Sequence, residues 1–167
     1  ECRQMLDTGF LGEGPSAIRY PRGTGPGVTI ENEMHELAIG KGALVVEGKE
    51  VAILSFGTTL AIAKAVGESI GATVVNMRFV KPIDEELILD ISKSHRFLFT
   101  IEENMVAGGA GSAVNEVLAE NNVLVRVANY GLPDRLIQHG SRDDMLSDAG
   151  LTETAFASFI QERIAAD

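Results

Sequence analysis

The sequence predicts an α/β domain whose centre is one strand of a parallel sheet. Residues 51–57 form an apolar stretch that no charge interrupts. A strand with one solvent face alternates apolar and polar residues, so an unbroken run predicts a strand that is covered on both faces. Gly57 then permits a tight turn, and Thr58 or Thr59 is placed to cap a helix whose apolar positions continue to Ile70. A strand, a turn and a helix in this order open a βαβ unit.

A second unit of the same kind supports this fold class. Its strand is predicted over residues 73–77, its helix over 84–94 and the next strand over 97–101. Parallel strands joined by helices form a sheet with helices packed against it. A short strand at 43–46 is separated by a polar turn from residues 51–57, which suggests a hairpin. The other predicted elements are a helix at 1–6 ended by Gly9, Gly12 and Gly14, a strand at 17–20, a helix after Gly108–Ser112, a strand at 123–127, a helical turn at 133–137, and helices at 142–148 and 152–165. Thr152 and Thr154 supply the hydroxyls expected to cap the last helix.

Composition and charge narrow the classes of partner. The chain has 167 residues, and 45% of them are hydrophobic, which is normal for a globular core. Its net charge of -10 repels phosphate backbones and anionic lipids, so neither nucleic acid nor a membrane is an expected partner. The single Cys2 cannot form an internal disulfide, which predicts a reducing, cytoplasmic location. His35, His95 and His139 are scattered along the chain and predict no metal cluster.

Two polar features follow the predicted strand at 97–101. Gly108–Ser112 stands where a phosphate-binding loop would stand, but it matches neither of the glycine-rich nucleotide motifs. Close packing of a helix against the sheet would explain the same glycines. Glu102 and Glu103 lie at the strand end where open sheets bind ligands. Because adjacent strand residues point to opposite faces, we expect this pair to cap or bond the next loop rather than to share acid–base chemistry.

Arg22 is the candidate binding residue. Pro21 stiffens the backbone that presents the Arg22 guanidinium to a glycine-rich loop. A planar fork of N–H donors on a rigid support suits a phosphate or a carboxylate. An ordinary salt bridge to the acidic remainder of the chain is the alternative. No serine or cysteine has the sequence setting of a nucleophile, and Ser112 lacks the second glycine of a nucleophile elbow.

Several motifs together resemble one enzyme family. They are Gly14–Gly23, which contains Tyr20-Pro21-Arg22-Gly23, then Ile39–Gly42, Phe79–Asp84, Glu102–Asn104 with Gly108–Ser112, and Asn129–Asp134. The combination resembles the 1-deoxy-D-xylulose-5-phosphate synthases within the larger transketolase-like group. The resemblance extends from Glu1 to near the C-terminus.

The resemblance implies a three-layer α/β/α domain like the C-terminal domain of transketolase. Its five-stranded sheet would be mostly parallel, with the strand at 51–57 central between those at 73–77 and 97–101. The strand at 43–46 would run antiparallel at the edge beside 73–77, in place of the hairpin.

The resemblance also implies a division of the chain. Residues 1–27 would be the tail end of a pyrimidine-binding domain, residues 28–37 a linker, and residues 38–167 the transketolase C-terminal domain. We therefore expect the chain to be a C-terminal fragment of a longer enzyme.

The family enzyme condenses pyruvate with glyceraldehyde 3-phosphate to 1-deoxy-D-xylulose 5-phosphate and releases CO₂, using thiamine diphosphate and Mg²⁺. Its product feeds isoprenoid, thiamine and pyridoxal synthesis. The resemblance implies a homodimeric transferase in which this fragment supplies scaffold, dimer contacts and Arg22, the arginine that grips the aldehyde's phosphate. The family's diphosphate-and-metal motif and activating glutamate are not matched in this sequence. No catalytic, cofactor or metal residue is therefore assigned, and the fragment alone is expected to bind no cofactor and to be inactive.

Other functions remain open at the level of sequence. One is the C-terminal domain of another thiamine diphosphate enzyme, either transketolase or the β subunit of a 2-oxo acid dehydrogenase. The Tyr20–Gly23 and Gly131–Asp134 runs argue against both. The other is a free-standing nucleotide- or phosphate-binding module built on Gly108–Ser112.

Overall fold

The structure is a computed structural model that describes residues 1–23, 25, 27–30 and 32–166. Parts of the predicted Arg22 loop, linker and C-terminal domain fall on Thr24, Pro26, Glu31 and Asp167, which lie outside the described residues. The chain divides into two compact units, Glu1–Ile39 and Gly40–Asp167. None of the described helices combines the length and the apolar character that crossing a bilayer requires.

The first unit contains one helix. Helix α1 spans Cys2–Leu11, so it continues past Gly9, and Gly12 closes it by donating its N–H to Thr8 O at 3.2 Å. The prediction that glycines end this helix is confirmed at Gly12 and wrong at Gly9. The strand predicted at 17–20 is also wrong, because these residues have no regular secondary structure. A strand needs a neighbour that satisfies its backbone N–H and C=O groups, and the strands of the described sheet all lie in the second unit.

The second unit alternates strands and helices along the chain. Its elements are β1 (Ala43–Val46), β2 (Glu50–Phe56), a 3₁₀ turn (Gly57–Thr59), α2 (Leu60–Ile70), β3 (Thr73–Asn76), α3 (Glu85–Ser94), β4 (His95–Met105), α4 (Ala110–Glu120), β5 (Arg126–Leu132), α5 (Arg142–Asp148) and α6 (Glu153–Ala165). The predicted βαβ units are confirmed, and β4 is longer than its apolar core because it continues through Glu102 and Glu103.

The five strands form one sheet in the order β1-β3-β2-β4-β5. Strand β2 is central and pairs in parallel with β3 and β4, and β5 adds in parallel to β4. Strand β1 pairs antiparallel with β3, with Ala43 opposite Asn76. The fold that the family resemblance implied is therefore confirmed, and the hairpin between β1 and β2 is wrong.

The turn between β1 and β2 explains why the hairpin does not form. Gly48 donates its N–H to Thr73 Oγ1 at 3.0 Å, and Lys49 donates its N–H to Gly71 O at 3.1 Å. These bonds hold the turn against the start of β3 and direct β1 to the outer edge of β3. Both edges of β2 are already occupied by parallel partners.

Helices cover both faces of the sheet, which makes three layers. Residues of β2 alternate between two separate cores: Val51 and Ile53 face one, and Ala52, Leu54 and Phe56 face the other. This alternation is why the central strand reads as a continuous apolar run. The first core also contains α2 and α6 residues, among them Ala63, Val66, Phe156 and Ile160, and the second contains α3 and α4 residues, among them Ile88, Ile91, Val114, Val117 and Leu118.

Strand β5 begins later than the sequence predicted. Residues 123–125 lie outside it, because Val123 donates its N–H to Leu118 O at 2.9 Å and so closes α4. The strand instead continues through the polar residues Asn129 and Tyr130. The helical turn predicted at 133–137 is wrong, since this segment contains a bend at Asp134 and Arg135 and no helix.

Helix capping was predicted correctly at one end and wrongly at another. Thr152 accepts the Ala155 N–H at 3.3 Å and caps α6 as expected. Neither Thr58 nor Thr59 caps α2 with its side chain. The buried Thr59 hydroxyl instead donates to the carbonyl of Phe56 or of Ile101, each 3.0 Å away, and so joins β2 to β4.

Candidate functional site

The carboxyl ends of β2 and β4 form the crevice where a ligand site is expected in this topology. The chain leaves β2 through α2 toward β3 on one side, and leaves β4 through α4 toward β5 on the other. Open parallel sheets bind ligands where the connections diverge in this way. Thr58 follows β2, and Glu102 and Glu103 lie near the carboxyl end of β4, so all three residues border this crevice.

Glu102 is buried and caps helix α4. One carboxylate oxygen accepts the Ala110 N–H at 2.7 Å, and the other accepts the Gly111 N–H at 2.9 Å. The side chain is therefore a negative charge placed on the positive end of the helix dipole. The expectation that this glutamate bonds the next loop is confirmed.

Glu103 points away from Glu102 and pairs with Arg142 of α5. Glu103 Oε2, which accepts from Arg142, also accepts the Thr58 hydroxyl at 2.5 Å. Arg142 Nη2 lies 3.1 Å from Thr58 Oγ1. These three side chains line an open cleft of ≈ 480 Å³ between the start of α2, helix α5 and the start of α6. Sequence reasoning missed Arg142, because 39 residues separate it from Glu103 and no local pattern marks the pair.

The charges of this cleft do not favour an anion. Arg142 is its one basic lining residue among those described, and it is bonded to Glu103. Asp143 and Glu153 add further negative charge to the lining. The bonds of Arg142 to Glu103 and Thr58 fasten α5 to the carboxyl edge of the sheet.

Packing explains Gly109 and Gly111 of the Gly108–Ser112 loop, whereas Gly108 has a φ of +72° and no atom within 4 Å of an added Cβ. A Cβ at Gly111 would lie 2.5 Å from Thr100 Oγ1 and 2.9 Å from Asn129 Cγ, so a side chain does not fit between α4 and the sheet. The N–H groups that would hold a phosphate at the start of α4 are bonded to Glu102. The nucleotide-module hypothesis therefore loses the donors on which it depended.

We expect Glu102→Gln to destabilise the chain by about 1–3 kcal/mol, because the amide places an N–H₂ group against one backbone donor and removes the charge from the helix end. Urea unfolding of this chain measures the change. Glu116→Gln, at an exposed position of the same helix, is the matched control and should stay within about 0.5 kcal/mol. Equal unfolding midpoints for the two variants would contradict the capping role.

The histidines lie apart, and one has a structural role. His95 Nε2 lies 2.7 Å from Thr73 Oγ1, and Nδ1 lies 3.0 Å from Ile91 O. The ring thus joins the start of β4 to β3 and to the end of α3. His35 and His139 are exposed. Within the described residues, no group of three or more His, Cys, Asp and Glu is arranged to hold a metal ion.

Two of the resemblance motifs meet at the start of α3. Asp84 caps the helix by accepting the Leu87 N–H at 3.2 Å, and its other oxygen accepts the Gly42 N–H at 2.9 Å. Lys41 Nζ lies 2.9 Å from Glu86 and 3.3 Å from Asp84, and these bonds raise the pKa of the lysine, with Glu86 as the larger cause. The contacts tie the Ile39–Gly42 motif to the Phe79–Asp84 motif, so both have a structural explanation.

Arg22 lies in the first unit on a segment without regular secondary structure, and it is exposed. It forms no hydrogen bond or ion pair with any other residue that the structure describes, so the salt-bridge alternative finds no partner there. Its role in phosphate binding stays a prediction.

Comparison with known proteins places the second unit in a family. Residues 40–155 match the family model described as "Transketolase, C-terminal domain". The chain belongs to the transketolase C-terminal domain family. A solved structure with a similar fold is a split-gene transketolase described as an inactive beta4 tetramer, with a TM-score of 0.71 and 32% identity over 77% of this chain and 43% of that one.

Two curated relatives of this transketolase C-terminal domain carry the same name. The whole chain is 53% identical to part of the 1-deoxy-D-xylulose-5-phosphate synthase of Methylococcus capsulatus and covers 27% of it. The enzyme of the same name from Stenotrophomonas maltophilia is 48% identical over 98% of the chain, which covers 26% of that protein. The chain thus spans about a quarter of the length of these relatives.

Proposed function

We propose that this chain is the C-terminal part of an enzyme that condenses pyruvate with glyceraldehyde 3-phosphate to 1-deoxy-D-xylulose 5-phosphate and releases CO₂. The observation that carries the proposal is the identity of 48–53% to synthases of that name through nearly the whole chain, first unit included. The Tyr20–Gly23 run lies in that first unit and outside the segment that the general transketolase family model matches.

Within that enzyme, we assign residues 1–27 to the end of a pyrimidine-binding domain, 28–37 to a linker and 38–167 to the C-terminal domain. The C-terminal domain supplies scaffold and contacts for a cytoplasmic homodimer. Arg22 supplies the one substrate contact in this chain, through its guanidinium and the phosphate of glyceraldehyde 3-phosphate. This role is supported by the exposure of the Arg22 guanidinium and by the proline before it. A phosphate can reach an exposed guanidinium, and the restricted backbone of Pro21 limits the orientations of the guanidinium's two parallel N–H donors.

We propose that the cofactors of such an enzyme, thiamine diphosphate and Mg²⁺, are held by residues outside this chain. Mg²⁺ requires several oxygen ligands in octahedral geometry, and the described residues offer no cluster of carboxylates arranged for a metal ion. The carboxylates of Glu102 and Glu103 are bonded to backbone and to Arg142. The cofactor's carbanion chemistry therefore belongs to other parts of the enzyme.

We expect the isolated chain to bind no thiamine diphosphate and to form no product from pyruvate and glyceraldehyde 3-phosphate. Isothermal titration with the cofactor and Mg²⁺ measures the first expectation, and an assay for released CO₂ measures the second. Saturable binding that depends on Mg²⁺ would contradict the assignment. The longer enzyme that contains this chain is the positive control.

Transketolase activity is a second candidate function, because a solved structure that is 32% identical to this chain is a transketolase. Assays of the longer enzyme distinguish the two activities. With pyruvate as donor, release of CO₂ that depends on glyceraldehyde 3-phosphate supports the proposal. Transfer of a two-carbon unit from a ketose phosphate, without CO₂, supports transketolase instead.

We expect residues 38–167 to fold without residues 1–27. Their elements form a complete layered structure with a core on each face of the sheet, whereas the first unit contains one helix. Thermal unfolding of a chain that begins at Ala38 should be cooperative and should match the second unit of the whole chain. Loss of cooperative unfolding would place the boundary elsewhere.

A further inference from the structure

The segment that carries Arg22 is attached to α1 on both sides. Before Arg22, the Ser16 hydroxyl donates to Gly9 O at 3.1 Å. After it, the Leu37 N–H donates to Thr8 Oγ1 at 2.8 Å. Thr8 and Gly9, which are consecutive residues of α1, therefore bond the segments before and after Arg22, called here the two limbs of its loop. Thr8 is buried, and its hydroxyl also donates to Gln4 O at 2.7 Å, which fixes the oxygen that Leu37 uses.

Gly9 gives the first limb room to approach the helix. A Cβ at Gly9 would lie 2.7 Å from Ser16 Oγ and 2.9 Å from Ile18 Cδ1. Both distances are shorter than a real Cβ contact, so a methyl group at Gly9 would push the side chains of Ser16 and Ile18 away from the helix, and Ser16 Oγ could not keep the position from which it bonds Gly9 O. Glycine weakens a helix interior relative to alanine, so helix formation alone gives no reason for it at this position.

We propose that Thr8 and Gly9 are positioning residues for Arg22 and together form the seat of its loop. Ile18 rests against Gly9, and Arg22 follows four residues later with Pro21 fixing the backbone immediately before it. We therefore expect a shift of the Ser16–Ile18 segment to move the guanidinium of Arg22. The inference rests on the proposed function of Arg22 as the arginine that binds the acceptor's phosphate.

The test uses the longer enzyme that contains this chain, with glyceraldehyde 3-phosphate and with unphosphorylated glyceraldehyde as acceptors. Gly9→Ala should lower kcat/KM for the phosphorylated acceptor about 3- to 20-fold, mainly through KM, because small misplacements of a binding group cost affinity. With glyceraldehyde the change should stay below about 2-fold, since the displaced guanidinium has no phosphate to bind. Gly14→Ala, which adds a methyl group where no atom lies within 4 Å, is the matched control.

A second pair of variants keeps the test independent of the steric change. Thr8→Val retains the shape of the side chain but removes the acceptor of the Leu37 N–H, and Thr8→Ser retains the hydroxyl. We expect Thr8→Val to raise KM for the phosphorylated acceptor and Thr8→Ser to restore most of the loss. Both Gly9→Ala and Thr8→Val should add no further selective loss when Arg22 is already alanine.

The outcomes separate the inference from the function on which it rests. Suppose that Arg22→Ala lowers kcat/KM only for the phosphorylated acceptor, while Gly9→Ala and Thr8→Val lower it equally for both acceptors. The positioning role of Thr8 and Gly9 is then wrong, and the phosphate role of Arg22 stands. The positioning role is also wrong if Gly9→Ala or Thr8→Val still lowers kcat/KM selectively for the phosphorylated acceptor when Arg22 is already alanine. Equal losses with both acceptors in Arg22→Ala itself would overturn the proposed role of Arg22 and the seat with it.

Discussion

Gly48→Ala should be the most destabilising of the substitutions considered for the second unit. A Cβ at this position would lie 2.2 Å from the carbonyl carbon of Ala72 and 2.4 Å from both Gly71 O and Thr73 N. These are backbone atoms of the turn between α2 and β3, so no rotamer change relieves the collision. The turn between β1 and β2 must move away and give up its bonds to Gly71 and Thr73. We expect a loss of about 3–5 kcal/mol from overpacking and the broken bonds together.

Thermal unfolding of this chain measures that loss. For a chain of this size, the expected decrease in Tm is about 6–20 °C. Gly140→Ala is the control, because its Cβ would meet Asp144 Cβ at 3.6 Å and Met145 Cγ at 3.9 Å, which are ordinary contacts. Similar Tm values for the two variants would mean that the β1–β2 turn is free to move.

Arg22→Ala should have the largest effect on activity in the longer enzyme. A charge-assisted, forked contact to phosphate contributes about 1.5–3 kcal/mol. Removing it should therefore lower kcat/KM for glyceraldehyde 3-phosphate roughly 10- to 150-fold, at tenfold per 1.36 kcal/mol. Reaction of the enzyme with pyruvate before the acceptor binds should change little, because the phosphate belongs to the second substrate. Steady-state kinetics with phosphorylated and unphosphorylated acceptors provide the measurement.

Arg22→Lys distinguishes a forked contact from a simple positive charge. Lysine keeps the charge but presents it as a point, so it should recover only part of the activity. Arg3→Ala, an exposed arginine of the same unit on helix α1, serves as the charge-matched control. Equal losses with both acceptors in Arg22→Ala would mean that Arg22 stabilises its loop and does not bind phosphate.

Burial of an aromatic side chain gives the second unit a sensitivity to alkaline pH. Tyr130 on β5 packs against Phe156 and Phe159 of α6 at centroid distances of 4.9 and 4.8 Å, and donates its hydroxyl to Gly150 O at 2.5 Å. Burial raises the pKa of Tyr130 above its ordinary value of 10.0. The folded chain therefore holds the Tyr130 proton more tightly than the unfolded chain does. The stability that this difference contributes is complete below pH 10.0, the ordinary pKa of tyrosine, and is lost as pH rises through the raised pKa of the folded chain.

The elements that the sequence predicted correctly have patterns that lie within a few consecutive residues. The unbroken apolar run of β2 and the helical spacing after it depend on which residues are neighbours in the chain. The same holds for the Thr152 cap of α6. The polar residues Asn129 and Tyr130 hid the extent of β5, because their partners Thr100 and Gly150 lie far away in the sequence.

The candidate site shows the same division. The sequence alone identified Arg22, Glu102, Glu103 and the glycine loop as polar or special positions, since each has a recognisable local setting. Only the tertiary structure decided that Glu102 occupies the helix N-terminus and that Arg142 pairs with Glu103.

The placement of β1 was also decided by tertiary structure. A polar turn between two apolar segments is compatible with a hairpin, and the sequence contains no local signal against one. The backbone of the α2–β3 turn excludes it, because Gly48 fits against Ala72 and β2 already has a partner on each edge. Contacts of this kind depend on residues that become neighbours only when the sheet has formed. Local periodicity therefore determined which segments are strands and helices, and the competition for edges of the sheet determined their order.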